Sequence, residues 1–121
     1  MKIVKETVTV DTSDPAFVHV VQQRVKDTGQ DIGGQLWFER ANLRWVVDTL
    51  RACLATYGFP ETVHQGGQDS LKVFESGPEQ EPVVNLFNVR PKDAPHGGVY
   101  ARSMSRAAAE QLANQLASLG N

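Results

Sequence analysis

Residues 8–15 of this chain, Val-Thr-Val-Asp-Thr-Ser-Asp-Pro, are echoed at residues 71–78, Leu-Lys-Val-Phe-Glu-Ser-Gly-Pro. Val8, Val10, Ser13 and Pro15 align with Leu71, Val73, Ser76 and Pro78 at an offset of 63 (78 − 15), which also lays Val20 and Val21 on Val83 and Val84. With one residue lost in the next loop, the offset becomes 62. Phe38, Arg40 and Arg44 then meet Tyr100, Arg102 and Arg106, and Leu50, Leu54 and Gly58 meet Leu112, Leu116 and Gly120. The leucines carry least weight, because any two amphipathic helices share Leu at i and i+4. The arginine and Ser-x-Pro pairs carry more. A period of about sixty residues marks a duplicated supersecondary unit. In a chain of 121 residues neither half buries an apolar face alone, so residues 1–60 and 69–121 are expected to share one core in a single domain.

Each unit reads as three strands and a helix. Residues 3–11 alternate, with Val4, Glu6, Val8 and Val10 on one face and Ile3, Lys5, Thr7 and Thr9 on the other. Residues 17–26 have apolar residues at helical spacing, but their valine content and their counterpart at Pro82–Val89 favour a strand. Gln35–Arg40 is the third strand. Asn42 is placed to cap a helix whose stripe is Leu43, Val46, Val47, Leu50, Leu54 and Tyr57, ended by Gly58 and Pro60. Gly66-Gly67-Gln68 reads as a flexible join. Ser70–Glu75, Val83–Val89 and Val99–Arg102 repeat the strands. Ser105 caps a second helix with Ala108, Ala109, Leu112, Leu116 and Leu119 inward. The expected class is α+β: a duplicated βββα unit, antiparallel sheet with two helices packed on one side.

The chemistry-bearing residues are scattered. His19, His64 and His96 share no ligand spacing, so neither metal nor cofactor is expected. Cys53 lies at the edge of the first helix's apolar stripe, where a cysteine serves as a small hydrophobe rather than a thiolate. Glu39, Asp48, Asp69 and Glu75 can be paired as acid and base on paper only. Gly33-Gly34 and Gly97-Gly98 match no phosphate or dinucleotide loop. No convergent catalytic set emerges, and a non-enzyme is expected. The start, Met1-Lys2-Ile3-Val4-Lys5-Glu6, lacks a signal peptide's apolar run, and no stretch is apolar enough to span a bilayer. A cytoplasmic protein is expected.

Two surfaces stand out. By strand alternation Phe38 shares a face with Arg40, and Tyr100 with Arg102, while Arg44 and Arg106 open the helices. If that face is open, rings for stacking and guanidinium groups for phosphate lie side by side, extended by Arg24, Lys26, Arg90 and Lys92. A net charge of −2 excludes a generally basic nucleic-acid binder but leaves room for such a local face. Cations in a helix's first turn oppose the macrodipole, so each needs a carboxylate or a bound anion nearby. The second surface is the outer face of the first helix. Trp45 falls about 200° from the core stripe, beside Ala41 and Ala52, as at a protein contact and most simply a homodimer.

Sheet plus helix used twice resembles, in outline, the tandem plan of Whirly and Pur-type single-stranded nucleic-acid binders and of related dimeric coactivators. Those units carry four strands where three are read here. No binding residue carries over from the resemblance. Two functions follow as expectations: a single-stranded nucleic-acid-binding module using Phe38, Arg40, Arg44, Tyr100, Arg102 and Arg106, or a protein-interaction module (adaptor, antitoxin or immunity-like) acting through Trp45, Ala41 and Ala52.

Overall fold

The structure, a computed structural model, describes residues 2–120. In chain order the elements are β1 (Ile3–Asp11), β2 (Phe17–Lys26), β3 (Gly34–Glu39), a 3-10 turn (Arg40–Asn42), α1 (Leu43–Leu54), β4 (Thr62–Gly66), β5 (Asp69–Ser76), β6 (Val83–Arg90), β7 (Gly98–Ser105) and α2 (Arg106–Ser118). The class is α+β, as expected, but the strands form two antiparallel sheets, β1-β2-β3 and β4-β5-β6-β7. The Val-rich stretch at 17–26 is a strand. The supposed join is a hairpin: Gly66 pairs with Asp69 around a two-residue turn, with Gly67 at φ 57°. Its first strand, β4, has one aliphatic residue, Val63, and so shows no apolar alternation.

Alternation puts one face of each sheet under the helices. Val8, Val18, Val20, Leu36 and Phe38 from the first sheet, and Leu71, Val73, Val84, Leu86 and Met104 from the second, join one contiguous core. Val46, Val47, Leu50 and Cys53 of α1 and Ala109, Leu112, Ala113 and Leu116 of α2 cover it. Tyr57 is not part of the stripe: α1 ends at Leu54, and the exposed Tyr57 ring lies under the Arg106 guanidinium, 4.3 Å away.

Strand register gives the repeat its true alignment. Val18 pairs with Phe38 and Val20 with Leu36, while Val84 pairs with Met104 and Leu86 with Arg102. Both hairpins therefore match at one offset, 66 (104 − 38 = 84 − 18). Val8 pairs with Gln22 and Leu71 with Asn88, so the first strands keep offset 63 and the next turn is three residues longer in the second unit (66 − 63). At offset 66 the buried Val46, Val47 and Leu50 fall on the buried Leu112, Ala113 and Leu116. Phe38 then corresponds to Met104 rather than Tyr100, Arg40 to Arg106 rather than Arg102, and Leu36 to Arg102. An offset of 62 is about one helical turn short of this register, the slip that leucines at i and i+4 invite.

Candidate functional site

Polar residues join the two units, and they do so reciprocally. Gln22 Nε2 donates to the Ser103 carbonyl at 2.7 Å, and its counterpart Asn88 donates through Nδ2 to the Trp37 carbonyl at 2.8 Å. Ser103 and Trp37 are themselves equivalent (103 − 37 = 66). The helices repeat the exchange. Arg40 donates to the Leu119 carbonyl just past α2, and Arg106 to the Leu54 carbonyl that ends α1. Each cation thus sits at the negative end of the other unit's helix, which offsets its own position beside a helix start. Arg106 also pairs with Glu75. Glu6–Arg24 and Asp69–Arg90 are the matching buried ion pairs of the two units.

Asp69 is the hub of the largest cluster. Its Oδ2 accepts from the Glu39 backbone N–H at 2.7 Å and Asn42 Nδ2 at 2.8 Å. Its Oδ1 accepts from Asn88 Nδ2 at 2.8 Å and Arg90 Nη1 at 2.7 Å. Arg90 Nη1 also reaches Glu39 Oε2 at 2.9 Å, and Nε donates to the Pro95 carbonyl. Burial alone opposes the Arg90 charge, but its bonds to Asp69 and Glu39 outweigh that and hold its pKa above the ordinary value. Asn42 therefore stands at the α1 N-cap without capping it. Its Nδ2 donates to Asp69 and the Gly66 carbonyl, and its Oδ1, the atom a cap would use, meets His64 Nε2 at 3.2 Å instead. Ser105 does cap α2, accepting from the Ala108 N–H.

The residues expected to form a sheet-face platform do not come together. Phe38 is fully buried under the helices. Tyr100 is half-buried against the core, its hydroxyl donating to the His96 carbonyl. Arg40 and Arg106 are spent on helix ends, and Arg44 is exposed beside Asp48. Arg102 lies between the units over Gly34. On the outer face of α1, Ala41 and Ala52 are exposed, but Trp45 is covered by His64, ring centroids 5.0 Å apart. Trp37 is likewise held between His19 at 3.8 Å and His96 at 3.6 Å, with Phe17 edge-on to His96. All three histidines thus stack on the two tryptophans. Neither indole is left bare, a pairing no sequence spacing reveals.

Cys53 is buried in the core, where burial, with a smaller effect from Glu75, pushes its thiol from 9.0 to about 11. The folded state thus holds this proton more tightly than the unfolded chain. Any stability tied to it is complete below pH 9 and falls as pH rises toward 11. A disulfide reagent at pH 8 is expected to label Cys53 only as fast as the chain unfolds. Labelling at the rate of a free thiol would refute its burial.

The uncovered faces of the two sheets differ. That of β1-β2-β3 carries Lys5, Thr7, Thr9, Gln23 and Gln35 around an exposed valine, Val21, with the Phe17, His19 and Trp37 rings packed together beside them. That of β4-β5-β6-β7 carries more aliphatic and aromatic side chains. One row across it reads Val63, Lys72, Phe87 and Ala101, and the next Gln65, Ser70, Val89 and Val99. Phe74 packs edge-on to Phe87 at 5.3 Å. Among the described residues no group of three or more His, Cys, Asp or Glu is placed to hold a metal, and no helix is long and apolar enough to cross a membrane. Comparison with protein-family models and with curated proteins finds no match to this chain.

Proposed function

We propose that this protein is a non-enzymatic interaction module whose open β4–β7 face docks a second copy of the chain. The observation that carries the reading is the exposure of three aliphatic side chains there: Val63 is 64 %, Val89 46 % and Val99 77 % exposed, against Val21 at 41 % on the corresponding face of the first sheet. Contiguous exposed apolar patches mark contact sites. Charge favours a second copy as the occupant. The one charged side chain in these rows, Lys72, is paired with Glu61 at 3.2 Å, so two such faces meet without like-charge repulsion. Size favours it too. With β5 eight residues long, four strands offer a flat footprint of about 26 by 19 Å, or roughly 1,000 Å² over two copies, near the lower limit for a specific interface. A two-fold contact of this kind closes on itself as a dimer. Single-stranded nucleic acid is the weaker reading, because Phe38 has no exposed face for a base.

Light scattering on the eluting protein tests this. The wild type is expected to run as a dimer at about 100 μM, a concentration that populates even a micromolar contact. Val89→Lys and Val99→Lys are expected to run as monomers with unchanged circular dichroism, since both positions already face solvent. A monomeric wild type, or variants that remain dimeric, would sink the reading. A companion titration with labelled single-stranded DNA is expected to show no salt-dependent binding.

A further inference from the structure

The internal equivalence of the two units exposes one position that breaks the pattern. Leu36 of β3 is fully buried, and its register counterpart on β7 is Arg102. A cation in a slot that the sister unit fills with leucine is a local conflict, and such conflicts concentrate at functional sites. The guanidinium lies where a β-carbon on residue 34 would stand, so glycine there leaves room for it. Arg102 is only partly buried as a residue, but its Nε is sealed from solvent with no acceptor, and burial depresses the group's pKa. Among the described residues, the other six arginines each meet an oxygen: Arg24 with Glu6, Arg40 with Leu119, Arg44 with Asp48, Arg51 with Asn114, Arg90 with Asp69 and Arg106 with Glu75. Arg102 meets none.

A second orphan stands beside it. Asn88 is fully buried, and its Oδ1 accepts nothing although its amide nitrogen is doubly used. Asn88 pairs with Tyr100 across the β6–β7 ladder, so Arg102 is its diagonal neighbour on the same face, about 7–8 Å away. An unused donor and an unused acceptor therefore border one seam. A carboxylate answers only the first. A phosphate group carrying one proton answers both, accepting from the guanidinium and donating its O–H to Asn88 Oδ1. The planar fork of arginine suits its oxygens.

We propose that the seam between the units at Arg102, Gly34 and Asn88 is a binding site for a phosphate group, free or as a monoester. The site is separate from the open face of the second sheet and stands whether or not that face dimerises.

The test uses the intact, isotopically labelled protein and follows the arginine Nε–H resonances by NMR. Inorganic phosphate and acetate are titrated separately, at an ionic strength held constant with sodium chloride. The Arg102 Nε–H signal is expected to move saturably with phosphate. With phosphate tenfold above its Kd, the wild-type Tm is expected to rise by about 5 °C. In phosphate-free buffer Arg102→Met is expected to melt no lower than wild type, because an apolar side chain suits the slot better than an unpaired cation. The variant's Tm is expected not to respond to phosphate. A resonance that does not saturate, an equal response to acetate, or an Arg102→Met variant that loses the same stability in both buffers would each overturn the proposal.

Discussion

Replacing Asp69 with alanine is expected to destabilise the fold by about 3–5 kcal/mol, enough to bring a domain of ordinary stability close to unfolding. The carboxylate gathers four donors from β3, the turn before α1, and β6. Its removal leaves Arg90, itself buried, with one carboxylate partner, Glu39, and strips Asn42 of one of two acceptors. Most of the loss is the penalty for polar groups left buried and unpaired, not the net worth of the original bonds. Urea denaturation measures it. Arg44→Ala is the control, since its pair with Asp48 is solvent-exposed and expected to be worth less than about 1 kcal/mol. A cost below about 1 kcal/mol for Asp69→Ala would show that water or neighbouring side chains replace the hub readily.

Phe38→Ala is expected to cost about 3–5 kcal/mol as well, for a different reason: a ring with no exposed surface is deleted from the shared core and leaves a cavity. The same measurement separates two views of this residue. A ring on an open sheet face is lost with little change in the urea midpoint and a drop in ligand affinity. A core ring is lost with a large shift in the midpoint. A Phe38→Ala protein as stable as wild type would return Phe38 to the surface and reopen the stacking platform.

How much of this was readable beforehand depended on whether the pattern was local. The alternation of Val8 and Val10, the valines of β2 and the Ser105 cap are local, and they led to the right elements. Strand β4 was missed because its pairing with β5, rather than its composition, makes it a strand. The inward or outward sense of Phe38 cannot be read from alternation alone, because a period of two fixes which residues share a face and not which face is covered. The reciprocal contacts were hidden more deeply. Glu6 and Asp69 lie 63 apart and Arg24 and Arg90 lie 66 apart, so the two ion pairs show as equivalent only once the three-residue difference in the turns is known. The strand register supplies the true alignment, and these ion pairs agree with it.

The exchange of donors across the seam has an evolutionary corollary. Gln22 finds its acceptor in the second unit, and Asn88 reaches back to the Trp37 carbonyl of the first. The helix ends follow the same rule through Arg40 and Arg106. A contact that maps onto itself when the halves are swapped is the contact of a symmetric pair. An ancestral gene for one βββα unit would therefore have encoded a two-fold assembly with these bonds already satisfied. Joining two copies in one chain would turn a concentration-dependent encounter into a tethered one. A tethered pair is also free to be asymmetric: Leu36 and Arg102, equivalent in register, are different residues.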